Sequence, residues 1–229
     1  MIEKLINNVE TFQGTEVDVS VGNIFQFIGK DTEVKPSPFF PGTYFDNYNL
    51  YEEVISVSNI EQLGSVITST FKWMLEHFGL VTSESSANRQ RILMRGRKHE
   101  DGIIRGVSVN DLLGKSAALC SERATFIHNI LILAGFQATL IFGSINGEPH
   151  AFNLIRWNNK QALLDISNYH LVKKGDREFV EPTLCFLNDE EYQKILRGGS
   201  YTTKKDQLFT IGELTGNVKY TYGGNRFMN

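Results

Sequence analysis

The stretch from residue 119 to residue 168 places the strongest constraint on how this chain can fold. Residues 121–134 are apolar with almost no polar face, which predicts a helix buried on most sides. Three strand patterns follow, at residues 137–145, 149–157 and 161–167. They are separated by Asn146-Gly147 and by Asn158-Asn159, both typical of tight turns between antiparallel strands. We therefore expect an α+β fold in which a central buried helix packs on an antiparallel sheet.

Three residues of this stretch carry side chains that fit nucleophilic catalysis. Cys120 stands directly before the helix, His150 near the start of the second strand and Asp165 inside the third. A thiol attacks as a thiolate, and its ordinary pKa of about 8.5 falls at a helix N-terminus or beside an imidazolium. The imidazole can then protonate the leaving group, and a carboxylate can orient the imidazole. The order and placement predict a Cys-His-Asp triad.

The register expected for the second hairpin agrees with this hypothesis. A two-residue loop at Asn158-Asn159 places His150 opposite Ser167 and Asp165 opposite Phe152. Residues that pair across strands share a face, as do residues two apart along a strand. His150 and Asp165 should therefore lie diagonally on one face, within hydrogen-bonding reach. A three-residue loop would place them on opposite faces.

Each of these residues also has an ordinary structural interpretation. A lone cysteine before an apolar helix is usually an inert core residue, a strand histidine a satisfied polar group, and an aspartate near a strand end a turn residue. The three together, with consistent facing, favour the triad. Two other candidates read as structural: His128 within the helix and Cys185 as a buried thiol. His170 lies three residues past the third strand, where it either lines the cleft or belongs to a loop, and the loop is favoured.

Residues 109–168 resemble the transglutaminase-like superfamily, a circularly rearranged relative of papain-like proteases. That family places its cysteine at a helix start, often as G-x-C-x-x-x-A, and ends the helix in glycine. Its histidine follows about thirty residues later in a strand of HAW type, and its aspartate about fifteen after that. The matching letters here are CSERA from Cys120, LAG ending at Gly135, HAFN from His150 and LD ending at Asp165.

The resemblance implies a papain-like core and acyl transfer through a thioester: peptide or isopeptide hydrolysis, transamidation or glutamine deamidation. By position, Cys120 would be the nucleophile, His150 the general base and acid, and Asp165 the residue that orients His150. Two positions depart from the family pattern. Ala118 stands where glycine is common, and Phe152 where tryptophan is common.

The oxyanion hole is less well indicated than the triad. The backbone N–H of Cys120 would supply one donor. For a side-chain donor the sequence offers Asn88, Gln90 and Asn110 as candidates and does not choose among them.

The resemblance suggests a division of the chain. We expect an N-terminal extension over residues 1–57, a transglutaminase-like catalytic core over 58–168 and a C-terminal elaboration of the same domain over 169–229. In the core, a helix is expected over 58–79, and in the C-terminal part a capped helix over 188–197.

Local sequence signals refine this division. Ser58 and Glu61 are spaced as a capping box at the start of the first of those helices.

Residues 16–28 alternate and predict a strand. Residues 35–53, rich in proline and aromatic side chains, predict an extended loop, either covering a core edge or lining a substrate groove. Residues 82–105 are polar and predict a solvated face or a loop.

Composition narrows the class of partner. The net charge is −3 and the pI about 6.0, with no clustered basic and aromatic surface, so no nucleic-acid partner is expected. No apolar run is long enough for a membrane span. The scattered histidines and two cysteines show no metal-ligand spacing, and the Gly114-Lys115-Ser116 triplet lacks the upstream glycine of a phosphate loop. No cofactor or metal is therefore expected.

Composition also indicates a compartment. Two cysteines are too few for a disulfide framework and suggest a reducing cytoplasm, with export independent of a signal peptide left open. The expected partner is a peptide or protein substrate, and the oligomeric state stays open. A non-catalytic binding module that retains the fold, or a secreted effector that modifies a host protein, is the alternative function.

Overall fold

The computed structural model describes residues 16–25, 33–34, 42–94, 106–145, 148–174, 177–197 and 201–202. Some predicted features lie outside these ranges, among them the Asn146-Gly147 turn and residues 35–41 of the proline-rich segment. The described residues form a mixed α+β structure, which confirms the predicted class.

One six-stranded antiparallel sheet organises the structure. Its strands are β1 (Glu16–Phe25), β5 (Gln137–Ile145), β6 (Glu148–Trp157), β7 (Lys160–Lys174), β8 (Arg177–Phe186) and β9 (Tyr201–Thr202). They are ordered β8-β7-β6-β5-β1-β9, so that four consecutive strands form a meander and β1 joins its β5 edge. A small second sheet contains β2 (Glu33–Val34), β3 (Thr43–Tyr44) and β4 (Val107–Ser108), in which β3 and β4 run parallel.

Helices cover both faces of the large sheet. They are α1 (Asn49–Ser56), α2 (Leu63–His77), α3 (Ser85–Met94), α4 (Cys120–Leu133) and α5 (Asp189–Leu196), with a 3-10 turn at Val109–Leu112 between β4 and α4. The central helix α4 is buried from Ser121 to Leu131. It packs against strands β5, β6 and β7, as the sequence predicts.

Alternation along the strands divides the core in two. Leu164 belongs to the large cluster shared with α2 and α4, whereas its neighbour Leu163 belongs to a smaller cluster shared with α5. Successive strand residues point to opposite faces, so a sheet covered on both sides must be apolar on both sides. Burial on two faces fixes the register of β6 and β7, because a slip by one residue would exchange the two cores.

The predicted hairpin register is confirmed. Trp157 pairs with Lys160, and the pairing continues in step to Asn153 opposite Leu164. Asn158 and Asn159 have φ angles of 45° and 59°. Two consecutive left-handed residues make the turn whose twist matches antiparallel strands.

Two expectations for the N-terminal half are wrong. The helix expected to begin at Ser58 begins at Leu63, and no capping box forms, because the Ser58 hydroxyl donates to the Val54 carbonyl at the end of α1. Helix α1 itself lies partly in the segment predicted as an extended loop, and it is held against α2 by a hydrogen bond from Trp73 Nε1 to Glu53 Oε2.

The polar stretch after α2 is also more ordered than predicted. Its first half forms α3, and Arg89 on this helix is buried instead of solvated. By contrast, the capped helix α5 follows the prediction. Asn188 accepts from the backbone N–H of Glu191, whose carboxylate accepts from the backbone N–H of Asn188.

Candidate active site

Cys120 is the first residue of α4 and is partly buried. The backbone N–H groups in the first turn of a helix have no acceptor within the helix, and the helix dipole is positive there. This position suits an anionic sulfur, and it brings the thiol next to His150 on the sheet.

Glu122 anchors the turn that carries Cys120. Its buried carboxylate accepts from the backbone N–H of Leu119 at 3.0 Å and from the Ser121 hydroxyl at 3.0 Å. Its other oxygen accepts from Thr43 Oγ1 at 3.0 Å and from Arg89 Nε at 2.8 Å. The start of α4 is therefore tied at once to β3 and to α3.

The charge of Glu122 is stabilised by its partners. Burial by itself would raise the pKa of this carboxyl, but the Arg89 charge and hydrogen bonds from Arg89, Leu119 and Ser121 hold it below its ordinary value. The carboxylate is thus ionised, and its charge is balanced by that of Arg89, so the pair adds little net charge beside Cys120.

Arg123 holds the loop that precedes Cys120. Its fully buried guanidinium donates from Nε to the Ala118 carbonyl at 3.0 Å and from Nη2 to the Gly79 carbonyl. The same loop is joined to the end of α2 by a bond from the Gly114 N–H to the His77 carbonyl. These bonds fix the backbone on the entry side of Cys120.

The structure brings His150 and Asp165 together as the register predicts. Nε2 of His150 lies 2.8 Å from Oδ2 of Asp165. The His150 side chain is 20% exposed, whereas that of Asp165 is 1% exposed. With Nε2 on the carboxylate, Nδ1 is the ring nitrogen left for the thiol of Cys120.

The electrostatics of the pair follow from this geometry. Burial by itself would lower the pKa of His150, but the Asp165 carboxylate and a hydrogen bond with Cys120 raise it to about 10. Burial would likewise raise the pKa of Asp165, but the His150 charge and hydrogen bonds from His150 and Ser167 lower it below its ordinary value. At neutral pH the arrangement is an imidazolium held between a carboxylate and a sulfur.

Ser167 and Asn168 are site residues that the sequence did not single out. Oδ1 of Asp165 accepts from the Ser167 hydroxyl at 2.8 Å, from the Ser167 N–H at 3.1 Å and from the Asn168 N–H at 3.2 Å. The pairing of β7 with β8 is irregular between Asp165 and Tyr169, which releases these two N–H groups from the ladder. An aspartate followed two residues later by serine is a known turn signal that could have revealed them.

Two of the three candidate side chains for the oxyanion hole, those of Asn110 and Asn88, have other partners. The Asn110 amide bonds with Asn47 and Ser108, and the Asn88 amide donates to the Lys115 carbonyl. Gln90 lies on α3 along a shallow surface cleft. The backbone N–H of Cys120, in the first turn of α4, stays the predicted oxyanion donor.

The remaining candidates have structural positions. His128 is fully buried in the middle of α4, and Cys185 is fully buried on β8, paired in register with Leu163. The side chain of His170 lies outside the described part of the structure.

A cavity of about 720 Å3 lies away from these residues. It is lined by Gly135, Phe136, Gln137, residues 156–161 and Asp189. Trp157 is seven residues from His150 along β6, or roughly 23 Å at the usual rise per strand residue. The cavity is therefore separate from Cys120, His150 and Asp165.

Among the described residues, no three histidine, cysteine or acidic side chains are arranged to hold a metal ion. No helix within the described ranges has the length and apolar character needed to cross a bilayer. Comparison with protein-family models, with curated proteins and with solved structures finds no match to this chain.

Proposed function

We propose that this chain is a cysteine-dependent amide hydrolase or acyltransferase of transglutaminase-like type, acting on a peptide or protein. One observation carries the proposal: Cys120 at the start of a buried helix contacts His150, whose Nε2 is 2.8 Å from Asp165 Oδ2. A cysteine and a histidine that only fill space in the core would not need a buried carboxylate hydrogen-bonded to the histidine. A nucleophile, a base and an orienting group in hydrogen-bonded series are what thioester chemistry needs.

The reaction would proceed in two halves. The Cys120 sulfur attacks the carbonyl carbon of a substrate amide, and the developing oxyanion is stabilised by the backbone N–H of Cys120. The His150 imidazolium gives its Nδ1 proton to the leaving nitrogen as the C–N bond breaks, which leaves a thioester and a neutral imidazole. His150 then takes a proton from water or from an amine, which attacks the thioester and releases the acyl product and the Cys120 thiolate.

Asp165 holds the imidazole through both halves. Its buried carboxylate keeps the Nε2 proton in place, so the proton that moves is on Nδ1. Hydrolysis, transamidation and deamidation share this acyl-enzyme and differ in the amide attacked and in the acceptor. Because two cysteines are too few for a disulfide framework, a reducing cytoplasm is the compartment that we propose.

Alkylation by iodoacetamide tests the activated nucleophile. The rates at Cys120 and Cys185 would be followed by mass spectrometry from pH 5 to pH 9 in the wild type and in His150→Ala. We expect Cys120 to react at pH 6 more than about tenfold faster than an ordinary thiol with a pKa near 8.5, and His150→Ala to abolish the advantage. Cys185, which is fully buried, serves as the internal control for unfolding.

The chemistry is tested by trapping the acyl group. The wild type would be incubated with a library of peptides, some containing glutamine and some without it. The reaction would be quenched in acid and examined for a thioester adduct on Cys120. Ammonia release would identify deamidation or transamidation, and a new peptide terminus would identify proteolysis. A Cys120 thiol that reacts no faster than free cysteine at any pH, together with no adduct, would favour the binding-module alternative.

A further inference from the structure

Ser167 occupies an unusual place at the candidate site, next to the triad but outside it. Its Oγ lies 2.8 Å from Asp165 Oδ1 and 3.4 Å from His150 Nε2. A serine within reach of a histidine and an aspartate can be a nucleophile or can serve the carboxylate. The directions of the hydrogen bonds separate these roles.

The contacts exclude Ser167 as the nucleophile. Its single hydroxyl proton is donated to Asp165 Oδ1, and Nε2 of His150 is already bonded to Asp165 Oδ2. A nucleophilic serine needs the unprotonated nitrogen of the imidazole as acceptor. Ser167 faces the wrong side of the ring for that role.

The same contacts give Ser167 a different use. Carboxylates rotate easily about the last side-chain bond, so an aspartate held by one hydrogen bond can exchange its two oxygens. Here Oδ1 accepts three donors, two of them from Ser167, and Oδ2 is left for His150. The irregular pairing between Asp165 and Tyr169 turns the backbone N–H groups towards the carboxylate.

We propose that Ser167 is a positioning residue for the triad, which locks the Asp165 carboxylate so that its Oδ2 keeps His150 aligned with Cys120. This inference rests on the proposed function, since alignment matters only if the thiol reacts. It assigns to position 167 a requirement for a β-hydroxyl, which serine and threonine meet and alanine does not.

The neighbouring residue supplies a matched control. Asn168 gives Asp165 its backbone N–H at 3.2 Å, and its side chain is exposed. Replacing Asn168 by alanine therefore keeps the bond, whereas replacing Ser167 by alanine removes one of three. The two substitutions alter adjacent positions of the same turn.

The experiment is the pH profile of Cys120 alkylation by iodoacetamide in the wild type, Ser167→Ala, Ser167→Thr and Asn168→Ala. We expect the acid limb of the profile to move to higher pH in Ser167→Ala, because an Asp165 carboxylate held by fewer hydrogen bonds aligns the His150 imidazolium less well with the sulfur. Ser167→Thr and Asn168→Ala should keep the wild-type limb. Alkylation of Cys185 reports whether each variant stays folded.

The outcomes are distinct. If the wild type has an activated Cys120 and Ser167→Ala superimposes on it, the positioning role is wrong while the proposed function stands. A Ser167→Ala protein in which Cys185 also becomes reactive would show that the hydroxyl maintains the fold, which overturns the positioning role. A wild-type profile like that of free cysteine would overturn both proposals.

Discussion

Arg89 on α3 pairs with Glu122 on α4 inside the protein, with Nε 2.8 Å and Nη2 2.7 Å from the same carboxylate oxygen. The two residues are 33 positions apart, and both are buried. The same carboxylate bonds the Leu119 N–H just before Cys120. This ion pair therefore connects a surface helix to the backbone that presents the nucleophile.

Removing one member of this ion pair should lower the free energy of unfolding substantially. Arg89→Met leaves Glu122 ionised and buried without its counter-charge, which typically costs about 3–5 kcal/mol of unfolding free energy. Urea unfolding of Arg89→Met measures this loss of stability. Arg91→Met is the matched control, because Arg91 lies on the same helix but is exposed. We expect the Arg91 substitution to change stability by less than about 0.5 kcal/mol.

A double variant separates charge from packing. Arg89→Met combined with Glu122→Gln removes both charges, so we expect it to be more stable than Arg89→Met alone. Equal losses in the single and the double variant would mean that the guanidinium contributes by filling space, and that the buried charge is not the cause.

The geometry of the triad could be predicted because it depends on local rules. Alternation along strands and a two-residue turn predict that His150 and Asp165 share a face, and the hydrogen bond between them agrees with this prediction. The ion pair of Arg89 and Glu122 could not be predicted in this way. Its partners, together with Thr43, come from three separate segments that meet only through tertiary packing.

Strand β8 is not evident in the sequence for a specific reason. Pro182 interrupts its pattern, and proline is unfavourable within a sheet. The structure accommodates it because β8 is an edge of the large sheet and because Pro182 pairs with Tyr169 where the register shifts. The start of helix α2 differs from the prediction because Ser58 bonds backwards to Val54 instead of capping the next helix.

The contribution of the His150 and Asp165 pair to stability should depend on pH in a defined direction. The pKa of His150 rises from 6.5 to about 10, so its contribution is complete below pH 6.5 and is lost as the pH rises through 10. The pKa of Asp165 falls below 3.8, so its contribution is present above that pH and is lost as the pH drops through the folded value. The pair should stabilise most between about pH 4 and pH 6.5.

Urea unfolding of the wild type and of His150→Gln at pH 5.5, 7.5 and 9.5 tests this dependence. We expect the difference in unfolding free energy between the two proteins to shrink steadily with rising pH. A difference that stays constant across the three values would mean that the pKa of His150 is the same in the folded and the unfolded protein, which contradicts the raised value.

The turn at Asn158-Asn159 sets the register on which the site depends, and its backbone can be tested directly. Asn159 has a φ of 59°, which is left-handed and which asparagine and glycine tolerate best. Asn159→Ala should therefore destabilise the protein by about 1 kcal/mol, whereas Asn159→Gly should be close to neutral. Thermal unfolding of the two variants measures the difference, and equal stability would argue against the left-handed turn.

Gly79, which ends α2, should be intolerant of any side chain for two separable reasons. It has a φ of 73°, and a Cβ placed on it would lie 2.7 Å from the Ser116 hydroxyl. Gly114 has a similar φ of 69° but open space around its Cα. Gly114→Ala should therefore cost only the backbone strain of about 1–2 kcal/mol, and Gly79→Ala should cost more.

Removing the hydroxyl isolates the steric part of this cost. In Gly79→Ala combined with Ser116→Ala the nearest atom becomes the Ser116 Cβ position at 3.6 Å, an ordinary contact distance. Because Gly79 also accepts from Arg123, the strain would fall on the loop that leads to Cys120. In urea unfolding, we expect the double variant to have about the same free energy of unfolding as Gly114→Ala. We expect the alkylation of Cys120 to slow in Gly79→Ala and not in the double variant. A double variant as unstable as Gly79→Ala would show that backbone strain, not the Ser116 hydroxyl, requires glycine there.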